Sequence, residues 1–262
     1  MKKYTLAIVG CGKLASIIVD ALNKDLLLDY ELIATYSRTK AKAVHIAEKA
    51  KGSRAKACDS MEELLSLKPN YIVETASPAS LREFALTALK GGSSIVTLSI
   101  GALADQKFYE EVQQVARENN TRMHLASGAI GGFDVLRTAA LMGNCTATFD
   151  TEKGPYSLRN SSVYDDALQT EKRQVFKGDA VEAIALFPTS VNVAVAASLA
   201  SVGPEQMKVS MTSTPGFVGD NHRIEVKNDQ VHAVIDVYSS TAQIAGWSVV
   251  NTLRNITSPI AF

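Results

Sequence analysis

The sequence predicts an α/β protein: an N-terminal parallel sheet completed by a C-terminal helix, with an α+β domain inserted between them. Three observations predict it. Short apolar runs alternate with helical patterns from Tyr4 to Ala126, which implies crossover connections and parallel strands. A glycine pattern, Gly10-Cys11-Gly12-Lys13-Leu14-Ala15, stands between the first run and the first helical pattern. Near Ser127 the rhythm changes to short strands that look antiparallel. The last helical stretch, Thr241 to Arg254, then shows an apolar face that needs a partner.

The elements follow in order. Tyr4 to Val9, Glu31 to Tyr36, Tyr71 to Thr75, Ser94 to Ser99 and Arg122 to Ala126 read as buried strands. Leu14 to Leu22, Lys40 to Lys51, Met61 to Leu67, Ser80 to Lys90 and Asp105 to Asn119 read as helices. The Ser80 helix is closed by Gly91-Gly92. In the insert, Ala129-Ile130-Gly131-Gly132 opens a helix that runs to about Met142. Thr146 to Thr151 alternates like a half-exposed strand, and Ala180 to Phe187 and Val191 to Ala200 are helical. Lys208 to Thr214, His222 to Lys227 and Val231 to Tyr238 read as antiparallel strands, the last two joined at Asn228-Asp229. The expected division is 1–126, 127–238 and 239–262, the last returning to the first domain.

Composition narrows the class. Lysine plus arginine equals aspartate plus glutamate at 27 each, so no charge footprint points to nucleic acid or to a membrane surface. A small-molecule substrate is expected. No run approaches the ~18 apolar residues of a membrane helix, and Gly10 and Gly12 interrupt the first apolar run too early for a signal peptide. Three cysteines, Cys11, Cys58 and Cys145, are far apart and form no C-x-x-C. That argues against disulfides and zinc and for the cytoplasm. No histidine or carboxylate spacing suggests a metal site.

The glycine pattern fits G-x-G-x-x-G/A in the setting that gives it meaning, after a strand and opening a helix, as in a Rossmann domain. Gly10 permits the tight turn, Gly12 lets backbone approach a pyrophosphate, and Ala15 allows close helix–strand packing. The N–H groups around Lys13 and Leu14 face the phosphates from the helix N-terminus. The second strand ends in Thr35-Tyr36-Ser37-Arg38-Thr39, with no carboxylate at the ribose position. Ser37, Arg38 and Thr39 are candidates for a 2′-phosphate, so the cofactor is expected to be NADP or NAD, with NADP preferred. Ala76 and Ser77, after the third strand, join the candidate contacts.

Several segments resemble the L-aspartate dehydrogenase family along essentially the full chain. They include Val73-Glu74-Thr75-Ala76-Ser77, Leu98-Ser99-Ile100-Gly101-Ala102-Leu103 and Ser127-Gly128-Ala129-Ile130-Gly131-Gly132-Phe133-Asp134. Val175 to Ala183, Phe187-Pro188 with Val191-Asn192-Val193-Ala194, and Trp247-Ser248-Val249-Val250 match as well. The resemblance implies reversible NAD(P)-linked oxidative deamination of aspartate to iminoaspartate, in a homodimer. It puts cofactor contacts on Ala129 and Asn192, and the catalytic base on His222. Histidine titrates near neutral pH, which suits taking an ammonium proton or activating the water that hydrolyses an imine.

The departures have a common chemistry. The family often has Thr-Arg-Lys-Pro-Pro where this chain has Thr151-Glu152-Lys153-Gly154-Pro155, and Pro-Lys-Asn where it has Pro188-Thr189-Ser190. It has Asn-Pro-Lys-Thr-Ser where this chain has Tyr238-Ser239-Ser240-Thr241-Ala242. Glu152, Thr189 and Ser240 thus replace cations, and Asp220 replaces an asparagine. A dicarboxylate needs cations where it is desolvated; Lys153, Arg137, Arg159, Lys172 and Arg173 are candidates. Two alternatives remain open: the same hydride chemistry on a less acidic amino acid, imine or carbonyl, and a nucleotide-binding sensor without catalysis.

Overall fold

A computed structural model describes residues 3–188 and 190–261. The chain divides into two compact units, 1–128 with 245–262, and 129–244. Along the first unit run β1 (Tyr4–Val9), α1 (Lys13–Asn23), β2 (Tyr30–Tyr36), α2 (Lys40–Lys49), β3 (Lys56–Ala57) and α3 (Met61–Ser66). They continue as β4 (Tyr71–Glu74), α4 (Pro78–Lys90), β5 (Ser94–Thr97), α5 (Gln106–Glu118) and β6 (Met123–Leu125). The six strands form one parallel sheet in the order β3-β2-β1-β4-β5-β6. The chain reverses direction across the sheet between β1 and β4, which leaves a crevice at their carboxyl ends.

Local chemistry sets these elements. Leu6, Ala7, Ile8 and Val9 of β1, Ile72 and Val73 of β4, and Ile95 and Val96 of β5 are buried, as strands covered on both faces must be. Ser60, Ser77 and Asp105 cap α3, α4 and α5, each accepting a bond from the N–H three residues on. The strand expected over Ser94–Ser99 stops at Thr97 and a 3-10 turn, Ile100–Ala104, follows. β3 is too short to carry a pattern and was not expected.

The second unit holds α6 (Phe133–Leu141), β7 (Thr146–Lys153), β8 (Arg173–Asp179), α7 (Ala180–Leu186), α8 (Asn192–Leu199), β9 (Lys208–Ser213), β10 (Asp220–Lys227) and β11 (His232–Ser239). The sheet order is β11-β10-β7-β9-β8. Here the expectation of purely antiparallel strands is corrected. β9 runs parallel to β7 and antiparallel to β8, because the long connection 154–207 provides the crossover that parallel neighbours need. β8 was not anticipated. Its sequence, Arg-Gln-Val-Phe-Lys-Gly-Asp, has no apolar alternation, and it lies at the sheet edge. Gly132 takes a left-handed conformation before α6 (φ +72°), so that helix starts at Phe133 rather than within Ala129–Gly132. The β10–β11 connection spans Asn228 to Val231, held by the Asn228 side chain, which accepts from the N–H groups of Gln230 and Val231.

The final helix, α9 (Gln243–Thr257), supplies Val249, Val250 and Leu253 to the core of the first unit, beside Leu6, Ile8, Ile18 and Tyr30. Tyr30 donates its hydroxyl to the Leu253 carbonyl at 2.8 Å, and Gly246 gives α1 room at Ile17. No helix among the described residues is long and apolar enough to cross a membrane. Leu253 has no exposed surface, so Leu253→Ala is expected to cost about 3 kcal/mol in a denaturant melt. A cost below about 1 kcal/mol would mean that α9 does not complete this core.

Candidate functional site

The first unit carries a cleft of about 210 Å³ at the β1–β4 crevice, lined among others by Gly10, Gly12, Ser37, Arg38, Thr39, Lys42, Thr75, Ala76 and Ser77. It brings together seven of the residues expected from sequence; Lys13 and Leu14 begin α1 beside it. Gly10 is at φ +91°, and a Cβ there would stand 2.6 Å from the Ala76 nitrogen, so only glycine lets the two loops meet. A Cβ on Gly12 would meet nothing within 4 Å among the described residues. No side chain among the described residues caps α1, which leaves its first N–H groups and positive dipole end for an anion. These features fit a dinucleotide pyrophosphate. The Cys11 thiol donates to the Tyr36 carbonyl, and burial pushes its pKa up to about 12, so it is no nucleophile.

Sequence reasoning did not single out Glu74, the last residue of β4, which has no exposed surface. Its carboxylate accepts the N–H groups of Ala76 (2.7 Å), Ser77 (3.0 Å) and Ser99 (3.2 Å) and the hydroxyls of Thr97 (2.5 Å) and Ser99 (2.9 Å). Burial pushes its pKa up, and these donors oppose that shift. The residue holds the Ala76–Ser77 edge of the cleft in place. Its sequence signal is an acidic residue closing an otherwise apolar buried strand.

In the second unit, β7 and β10 build a polar patch at one end of an otherwise apolar sheet face. In register, His222 lies opposite Thr151, and Asp220 opposite Lys153. All four residues share the face that also carries Phe149 and Ile224, because side chains alternate along a strand. His222 is 2 % exposed; its Nδ1 lies 3.0 Å from Thr151 Oγ1 and its ring 5.5 Å from that of Phe149. Burial first, and then the Lys153 charge, push its pKa down to about 4, against an upward pull from Asp220. The imidazole is therefore neutral at pH 7, and its basicity falls below the near-neutral value expected of a histidine base. Lys153 Nζ lies 2.5 Å from Asp220 Oδ1. The neighbouring glycines set the two strand ends: a Cβ on Gly154 would sit 2.3 Å from the Phe217 oxygen, and one on Gly219 (φ +86°) 2.1 Å from the Ser239 oxygen.

The other expected residues fall elsewhere in the same unit. Ala129 lies in a turn before α6, and Asn192 opens α8. Glu152 points to the opposite face of β7 from Lys153, where it accepts from Thr214 Oγ1 (2.5 Å) and Lys172 (2.9 Å). These partners hold its pKa below the usual carboxylate range. Ser240 is exposed, and Thr189 lies outside the described residues. Of the candidate cations, Lys172 is engaged by Glu152, Arg173 by Asp165, and Arg159 stacks over Tyr156. Lys153 shares the His222 face by strand register, and Arg173, in register with Ser213, stands on the same face further along the sheet. No group of metal-ligating side chains occurs among the described residues.

Two outcomes follow. Glu74→Gln turns an amide N–H₂ toward backbone donors and should lower stability by about 2 kcal/mol while weakening cofactor binding; unchanged values for both would remove its holding role. His222 should titrate well below the ordinary histidine range in imidazole NMR, with His222→Gln identifying its signal. The unfolded chain takes that proton near pH 6.5 and the folded chain only near 4. The His222 contribution to stability is thus complete above pH 6.5 and is lost progressively as pH falls toward 4. A titration near 6.5 would contradict the burial argument.

Comparison with known proteins finds a match for each half of the chain. Residues 134–256 match the family described as aspartate dehydrogenase, C-terminal, and residues 10–126 match the homoserine dehydrogenase NAD binding domain. L-aspartate dehydrogenase from Methanococcus maripaludis is 30% identical, covering 97% of each chain. That from Methanocella arvoryzae is 31% identical over 98% of each. The crystal structure of aspartate dehydrogenase from Thermotoga maritima superposes with a TM-score of 0.76 at 26% identity, covering 99% of each chain. The chain therefore belongs to the L-aspartate dehydrogenase family of NAD(P)-dependent oxidoreductases.

Proposed function

We propose that this protein oxidises L-aspartate to iminoaspartate, reversibly, with His222 as the general base. The observation that carries the reading is a neutral, buried imidazole on one sheet face with a buried ammonium, His222 with Lys153. A nicotinamide dinucleotide, when bound, supplies the hydride acceptor. In the balanced reaction the substrate ammonium gives up a proton, the α-carbon loses a hydride to the oxidised cofactor, and a C=N bond forms. Water then adds to the imine, and oxaloacetate and ammonium leave. With Thr151 engaging Nδ1, Nε2 is the nitrogen left to take the ammonium proton or one from the attacking water. Lys153 supplies positive charge for a substrate carboxylate.

We further assign NADP as the preferred cofactor. Arg38 and Lys42 line the cleft with Ser37 and Thr39, and no carboxylate does so among the described residues. That charge favours a 2′-phosphate over a bare ribose hydroxyl. We assign Ala129 and Asn192 as additional cofactor contacts, on the strength of the family resemblance. The same resemblance supports a homodimer, and the three unpaired cysteines suit the reducing cytoplasm. A second reading, a less acidic amino acid as substrate, is favoured by one observation: Asp220 already takes up the Lys153 charge.

Purified protein should reduce NADP with L-aspartate, followed by the absorbance of the reduced cofactor. His222→Ala should lower kcat at least about 100-fold; retention of full rate would remove His222 from the chemistry. Arg38→Ala should raise KM for NADP about tenfold, ~1.4 kcal/mol, with little change for NAD. Equal effects on both cofactors would contradict the 2′-phosphate assignment.

A further inference from the structure

The Lys153–Asp220 pair is asymmetric. The Lys153 side chain is 6% exposed and its partner 32%, so the cation is fixed inside and the anion stands where solvent reaches. A buried ammonium is costly without a counter-charge, and Asp220 provides one. Across β7–β9, Lys153 is in register with Ser213. That residue is fully buried, and among the described residues its Oγ has no hydrogen-bond partner. The unpartnered hydroxyl and the ammonium lie on one face with His222. A carboxylate brought there from outside would find a cation and a hydroxyl donor, but it would find the cation already occupied.

We propose that Asp220 is a specificity-determining residue: its carboxylate is an internal occupant of Lys153, and a substrate carboxylate reaches that ammonium only by displacing it. This rests on the reading of the His222 face as the substrate site. Asp220 therefore handicaps an acidic side chain relative to a neutral one of similar size. Gly219 and Gly154, which have no room for a side chain, fix the strand ends from which the two charges meet.

Succinate, a dicarboxylate without an amino group, probes the site apart from turnover. Binding to the full chain by titration calorimetry should tighten about tenfold (~1.4 kcal/mol) in Asp220→Asn and Asp220→Ser. It should stay at the wild-type value in Asp220→Glu and disappear in Lys153→Met. The kcat/KM ratio of L-aspartate to L-asparagine should rise in the first two variants. Unchanged or weaker succinate binding in both overturns the proposal, as does binding that survives Lys153→Met. Loss of cooperative melting in both Asn and Ser variants also overturns it, because Asp220 would then be a structural counter-ion. Tighter succinate binding without oxidation of aspartate by any variant leaves the anion site standing and removes the proposed activity. Aspartate oxidation with succinate binding insensitive to Asp220 does the reverse.

Discussion

A carboxylate closed off from water at the end of β4 takes five hydrogen bonds from residues that follow β4 or that end and follow β5. Leaving any of these donors unpaired in the interior would cost more than the bond itself returns, so Glu74 fixes both loops together. The Gly10 backbone then settles against Thr75 and Ala76 at a distance no other residue allows. Thr75 closes the arrangement by donating its hydroxyl to the Gly10 carbonyl at 2.7 Å. The crevice keeps its shape because its walls bond to each other. The end of α1 stays bare because no side chain among the described residues competes for its N–H groups.

In the second unit the ordering principle is the two-residue period of a strand. Along β7, Thr151 and Lys153 turn to the packed side, and Glu152 to the other. Along β10, Asp220 and His222 share that packed side. One residue of slip would expose the imidazole and bury Glu152; the apolar residues Phe149, Ile224 and Val226 on the same face, all buried, specify the register. The low basicity of His222 follows from this placement: it is deprived of water by its neighbours and faces a cation two residues along.

Much of this was legible in the residues. The parallel sheet could be read because its strands are short apolar runs, buried on both faces, that alternate with helical patterns, one of them closed by Gly91-Gly92. The dinucleotide loop could be read because its glycines do what only glycine can. β8 was hidden because an edge strand has few apolar obligations, and the parallel β7–β9 pairing because direction leaves no mark in a short alternating run. Glu74 was quoted within a motif without its role, since a buried carboxylate is recognised only when its donors arrive from the end of β5. The loss of a cation at residue 152 counted in sequence against a dicarboxylate. Strand alternation turns that side chain away from the His222 face, while the substitution at Asp220 falls directly on Lys153.

The order in which the ribosome delivers this chain has a bearing on how it matures. The first unit needs Val249, Val250 and Leu253 from its final helix, and β7 receives both of its neighbours, β9 and β10, from later in the chain. Neither core can close while the last segments are still in the exit tunnel. The nascent parallel sheet therefore waits with apolar surface uncovered. Such a chain depends on contacts distant in sequence, which form slowly, and it offers chaperones a long interval in which to bind. Loss of α9 would open the nucleotide-binding half, although that half begins with β1.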